Sequence, residues 1–299
     1  MKDQADVLRN KMKQIQDRSN QEDKETKVIA IVSGKGGVGK TNFTVNFAIA
    51  LQELKKNVLI FDLDIGMGNI DILLGRSTTY SVVDMLEKDI PIQDIMGSSE
   101  TGITFISGGT GFTDIFEMDE SKMNFFLAQL SVLEEKYDYI LFDMGAGISN
   151  NSLQFLLSVN EIILITTPEP TSVTDAYATI KYIHAQDSTI PIYFLVNRVR
   201  TKQDGEVTMK NIRNVCSQFL QKEVTHLGNV PDDEVVWKAV RSQQPFLLSH
   251  PNSKPSIAIK ETALLYMRGV SKDESSKGTL TNFVWKLRDF FQVKAGGQK

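Results

Sequence analysis

Apolar residues follow two rhythms along this chain. From Val28 onward, short unbroken runs rich in Val and Ile recur at Val28–Val32, Val58–Phe61, Ile103–Ile106, Tyr139–Phe142, Ile162–Thr166, Ile192–Val196 and Val224–Val230. A strand with one wet face alternates apolar and polar side chains, so unbroken runs of this length predict strands buried on both faces. Between them the apolar positions shift to helical spacing. Strands alternating with helices predict an α/β fold: a doubly wound, mostly parallel β-sheet flanked by helices.

Both ends of the chain depart from this pattern. Ala5, Leu8, Met12 and Ile15 fall on one helical stripe, and Gln21 to Lys27 holds no large apolar residue, which predicts a short amphipathic helix on a polar tether over residues 1–27. Residues 28–270 form the α/β body. The polar stretch Ser271 to Gly278 predicts a linker opening a last segment, 271–299. There Phe283, Leu287, Phe290 and Phe291 stand at i, i+4, i+7 and i+8, with Val284 beside them and Lys286, Arg288 and Lys294 on the flanks. That stripe suits equally a helix packed on its own domain and one lying in a membrane interface.

Charge and cysteine usage remove several functions. Lys plus Arg is 33 against 37 Asp plus Glu, so no global basic field attracts a polyanion, and nucleic-acid binding is disfavoured as the main role. The single cysteine, Cys216, excludes a disulfide framework and a cysteine-based zinc site, and His184, His226 and His250 lack ligand spacing. No apolar run approaches the roughly 18 residues of a spanning helix, and the first residues lack the apolar stretch of a signal peptide. The expectation is a cytoplasmic protein, peripheral to a membrane at most.

The chemistry is concentrated after the first apolar run. Gly34-Lys35-Gly36-Gly37-Val38-Gly39-Lys40-Thr41-Asn42 fits G-x-x-x-x-G-K-[ST] between a strand and a helix beginning near Thr41, the context of a phosphate-binding loop. Glycines let the backbone N–H groups curl round phosphate oxygens, Lys40 would reach the terminal phosphates, and the Thr41 hydroxyl would face Mg²⁺. Asp62 and Asp64, two apart at the end of the second run, point the same way if the strand stays extended, and that end is where open parallel sheets bind ligands. Asp143 follows another apolar run, ahead of Gly145 and Gly147.

Lys35 is not required by a generic phosphate loop. With it, Lys35 to Thr41 resembles the deviant Walker A family of MinD, ParA and the nitrogenase iron protein. The resemblance implies an ATPase using ATP and Mg²⁺, in which Lys35 reaches the nucleotide of the second subunit of a homodimer. It also implies that Asp64 orients the attacking water, that Asp62 and Asp143 support Mg²⁺ through water, and that Gly145 and Gly147 form a switch. Asp62 to Asp71 is similar to the corresponding switch segment at every polar position. Asp175 matches an aspartate that pairs with the extra lysine, although a carboxylate at a helix start reads the same way. Asn197, Arg198, Pro231, Asp232 and Asp233 stand where the family holds adenine, though turn chemistry also accounts for Pro231 and Asp232.

The same family has a C-terminal targeting helix, which favours the membrane reading for Phe283, Val284, Leu287, Phe290 and Phe291. At the other end, Asp3, Gln4, Ala5, Leu8 and Arg9 fill D-Q-A-x-x-L-R, the element that marks the FlhG (YlxH, FleN) branch and implies stimulation of the GTPase FlhF. The expected output is control of flagellar number and placement, through FlhF and switch-complex proteins of the FliM/FliN type, with ATP-dependent attachment to peripheral membrane lipids. A ParA-like DNA-partition ATPase and a cell-division MinD are the alternatives.

Overall fold

The structure is a computed structural model that describes residues 25–64, 69–99, 102–109, 120–148, 150–270 and 279–296. The N-terminal motif residues Asp3, Gln4, Ala5, Leu8 and Arg9, the glycines Gly66 and Gly68, and the stretch 271–278 lie outside them.

Each predicted run forms a strand: β1 (Lys27–Val32), β2 (Val58–Leu63), β4 (Thr104–Ile106), β5 (Tyr139–Met144), β6 (Glu161–Thr166), β7 (Ile192–Val199) and β8 (Thr225–Pro231). They pair in parallel in the order β4-β2-β5-β1-β6-β7-β8. One further strand, β3 (Met96–Ser98), joins the edge antiparallel to β4. Its Met-Gly-Ser sequence carries no apolar run, so only its neighbour makes it a strand.

Helices cover both faces. On one lie α1 (Lys40–Glu53), α2 (Ile70–Leu74), α8 (Glu234–Arg241), α9 (Phe246–Ser249) and α10 (Lys254–Val270). On the other lie α3 (Val82–Lys88), α4 (Glu120–Ser131), α5 (Asn150–Ser158), α6 (Pro170–Gln186), α7 (Lys202–Leu220) and α11 (Leu280–Gly296). Successive β1 residues explain why the run is unbroken: Val28, Ala30 and Val32 enter one core, while Ile29 and Ile31 enter the other. The fold is thus the doubly wound α/β sheet that the pattern predicts.

In the structure the C-terminal stripe is covered by the domain itself. Phe283 and Leu287 are fully buried and Val284 is nearly so. The Phe283 ring sits 5.4 Å from Phe142 of β5 and 5.0 Å from Phe155 of α5, centroid to centroid. Phe291 packs partly against the same core. Only Phe290 of the named stripe, together with Trp285, faces outward. The periodicity is that of a lipid-facing helix, but an aromatic cluster on the sheet offers the same burial, roughly 1.5–3 kcal/mol per large side chain. Among the described residues no helix is long and apolar enough to cross a membrane.

Candidate functional site

The loop Gly34 to Thr41 leaves the C-terminal end of β1, whose neighbours β5 and β6 run to either side. This is the switch point of the strand order, where ligands of open α/β sheets bind. Gly37 and Gly39 have φ of 76° and 93°, in the left-handed region that favours glycine. The loop is held from two sides. A Cβ on Gly34 would collide with the Asp175 backbone of α6, and one on Gly39 with the Asn197 amide at the end of β7. Asn197 Nδ2 donates to the Val38 carbonyl at 2.8 Å, and the Gly147 N–H donates to the Ser33 carbonyl at 3.0 Å.

At the start of α1 the capping position is Gly39, which has no side chain to accept from the first-turn N–H groups. These donors, the positive end of the helix and the adjacent Lys40 form an anion site. Thr41 and Asn42 lie half-buried on that first turn.

Beside it three carboxylates converge. Asp62 and Asp143 are opposite one another in the β2–β5 register, and both are buried. Lys40 Nζ donates to Asp143 Oδ1 at 2.9 Å and lies 4.0 Å from Asp64 Oδ2. Thr44, one turn into α1, has its hydroxyl 3.1 Å from the same Oδ1. Asp143 Oδ2 is buried and has no hydrogen-bond partner among the described residues. Asp62 accepts from the N–H of Asp64 at 3.0 Å and of Ile70 at 3.5 Å. Burial, and then the charge of Asp143, push the Asp62 carboxyl up to about 7. Burial also raises that of Asp64. A buried oxygen of this kind among crowded carboxylates fits a cation-binding site. With Mg²⁺ bound, Thr41, Asp62 and Asp143 would hold the ion directly or through water, and Asp64, against which Gly145 packs, would face the attacking water.

Lys35 points away from this cluster. Its ammonium donates to Glu169 Oε2 at 3.0 Å, with Thr171 Oγ1 at 3.4 Å, at the exposed start of α6. The partner of Lys35 is therefore Glu169 and not Asp175, whose backbone packs under Gly34. Gly147 is exposed with φ of 78°. The proposed adenine residues lie at the adjacent ends of the paired strands β7 and β8, where the Asp232 N–H donates to the Val199 carbonyl at 3.0 Å. Asn197 latches the phosphate loop, and Arg198 is exposed with φ of 56°. Pro231 ends β8 opposite Val199, and Asp232 lies 3.6 Å from Arg200 Nε. Asp233 caps α8, accepting from the Val235 N–H at 2.9 Å, so its carboxylate has a structural task. Glu169 and Thr44 escaped the sequence reading. The first stands in a Pro-Glu-Pro turn, and the second has only its i+4 spacing from Lys40 as a signal.

A model of the ParA family, described as NUBPL iron-transfer P-loop NTPase, matches residues 24–265. The chain belongs to the ParA/MinD family of P-loop ATPases. Among curated relatives of this ATPase, the antiactivator FleN of Pseudomonas aeruginosa is 32% identical over 236 residues, covering 79% of this chain and 84% of FleN. The flagellum site-determining protein YlxH of Helicobacter pylori is 32% identical over 269 residues, 89% of each chain. These place the ATPase beside the FlhG (YlxH, FleN) branch. Among solved structures, MinD from Pyrococcus horikoshii complexed with Mg-ADP shares 27% identity at a TM-score of 0.67, covering 84% of this chain and 98% of that one. MinD of the MinC:MinD complex from Aquifex aeolicus gives the same TM-score at 26% identity, covering 81% and 96%.

Proposed function

We propose that this ATPase is a slow nucleotide switch that regulates flagellar number and placement. ATP and Mg²⁺ occupy the loop, two subunits close face to face, and Lys35 of each serves the nucleotide of the other. The observation that carries this reading is the opposite disposition of two lysines in one loop. Lys40 is buried on Asp143, whereas Lys35 is exposed and, among the described residues, held by a surface carboxylate and a hydroxyl. A cation that leans outward over its own site is available to a second subunit, where such a charge is worth roughly 10³–10⁵ in rate.

Membrane residence follows from the same cycle. Phe283, Val284 and Leu287 lie in the core, so lipid binding through α11 requires the helix to leave its groove, and dimerisation with ATP supplies the bias. Two helices presented together gain about 10²–10⁴ in avidity over one. The N-terminal residues Asp3, Gln4, Ala5, Leu8 and Arg9 engage FlhF, and switch-complex proteins of the FliM/FliN type complete the partner set. Flotation on anionic vesicles tests the reading. The wild-type chain is expected to float with ATP and not with ADP, and Lys35→Ala to bind ATP yet stay in the soluble fraction. Equal flotation of wild type and Lys35→Ala would overturn it.

A further inference from the structure

We infer that Thr44 is a positioning residue that keeps Asp143 aimed at the metal position once Lys40 has turned to phosphate. The inference rests on the nucleotide reading above and adds to it a residue to which no role has been given. Thr44 is fully buried, and its Oγ1 lies 3.1 Å from two acceptors, the Lys40 carbonyl and Asp143 Oδ1. A hydroxyl has one proton, so it serves one of them at a time. In the structure Asp143 Oδ1 already receives the Lys40 ammonium at 2.9 Å, and the hydroxyl can turn back to the carbonyl.

Nucleotide binding changes that balance. When the ammonium moves to the terminal phosphates, Asp143 loses its cation while Asp62 remains opposite it in register. Thr44 is then the remaining side-chain donor to Asp143 among the described residues. Threonine has two accessible χ1 wells in a helix, and the one occupied here, which brings Oγ1 to the Lys40 carbonyl, also keeps the hydroxyl within reach of Oδ1. The terminal torsion of an aspartate is broad, but a carboxylate is planar. Holding Oδ1 therefore fixes the direction of Oδ2, the buried oxygen without a partner. That oxygen would accept from a metal-bound water. Thr44 thus acts through Asp143 and touches neither nucleotide nor metal.

The test is a Mg²⁺ titration of a complex with a fluorescent ADP analogue, read as the metal concentration at half-change, with nucleotide affinity in EDTA measured alongside. Outer-shell partners of metal ligands are typically worth 10–100-fold in metal affinity. Thr44→Val, which keeps the volume and removes the donor, is expected to raise the half-point by about that factor and to leave the EDTA affinity unchanged. Thr44→Ser, which restores the donor, is expected to return the half-point to within about threefold of wild type. Should Thr44→Val not fold, Thr44→Ala removes the same donor and reads the same shift. An unchanged half-point in Thr44→Val, or a serine variant as impaired as the valine one, overturns the inference. A wild-type chain that binds no nucleotide at all would instead overturn the reading on which it rests.

Discussion

Two lysine–carboxylate pairs, one part-buried and one buried, stand at the two ends of β1, and they are built to different standards. At its start, Lys27 donates to Glu161 Oε1 of β6, and the Tyr266 hydroxyl donates to Oε2 at 2.6 Å. The rings of Tyr139 and Tyr193 pack on Tyr266 at 5.9 and 5.6 Å between centroids. Both carboxylate oxygens are satisfied and enclosed. Beyond its other end, Lys40 pairs with Asp143 of β5, but Oδ2 has no partner and Asp62 stands opposite. Each pair joins a lysine to a carboxylate across the middle of the same sheet. The first is a finished joint, whereas the second is completed only when another cation arrives. Unsatisfied burial thus marks the functional end of the sheet more sharply than charge does.

The largest effect expected from this contrast is on folding. Glu161→Gln leaves the Lys27 charge buried without its counter-charge, and removal of one partner from such a pair typically costs about 3–5 kcal/mol. Asp143→Asn removes the partner of Lys40 but also relieves the repulsion on Asp62, so its loss of stability should be less than half as large. Urea unfolding of the two variants measures this. Mg²⁺-dependent nucleotide binding should divide them the other way, retained by folded Glu161→Gln and lost by Asp143→Asn. Equal losses of stability would dissolve the distinction.

A smaller effect follows from pH. Burial and Asp143 raise the Asp62 carboxyl to about 7 in the folded chain, above the ordinary aspartate value of 3.8. The unfolded chain therefore releases this proton first. Between about pH 4 and 7 the folded state holds more protons than the unfolded one, so stability falls as pH rises and levels off above 7. Three pH units at 1.36 kcal/mol each set an upper bound of about 4 kcal/mol. Asp62→Asn should flatten this slope in metal-free buffer, measured as the urea midpoint against pH. A slope that persists in Asp62→Asn would assign the strain to another group.

The contrast also explains what was legible in the sequence. The interior strands could be read because they need apolar side chains on both faces, and Val28 to Val32 supply two cores at once. The three-residue β3 could not, since an edge strand of Met, Gly and Ser takes its conformation from β4. The phosphate loop was legible because Gly37 and Gly39 are demanded by local backbone geometry. The partner of Lys35 was not: whether Glu169 or Asp175 meets it depends on how the start of α6 lies beside the loop, which spacing does not encode. Phe283, Val284 and Leu287 carry the same helical period whether lipid or protein covers them, so their burial against Phe142 and Phe155 became visible only in three dimensions.

Lys35 and Glu169 supply the smallest effect and the sharpest control. Their bond is 3.0 Å long, as short as many buried pairs, but the two side chains are 43% and 60% exposed. Exposed pairs contribute about 0–1 kcal/mol, because water screens the attraction and ordering two long side chains opposes it. Glu169→Gln should therefore leave the urea midpoint essentially where it is in the wild type, in contrast to Glu161→Gln. Its consequence belongs to assembly. Glu169 holds the Lys35 ammonium over its own subunit, and releasing it lowers the work of turning that charge toward a second nucleotide. Light scattering against ATP concentration should show Glu169→Gln associating at lower ATP than wild type, by a few-fold. Association that instead needs more ATP would mean that Glu169 presents Lys35 to the second subunit, and that the surface pair, like Lys27 and Glu161, is part of a finished joint.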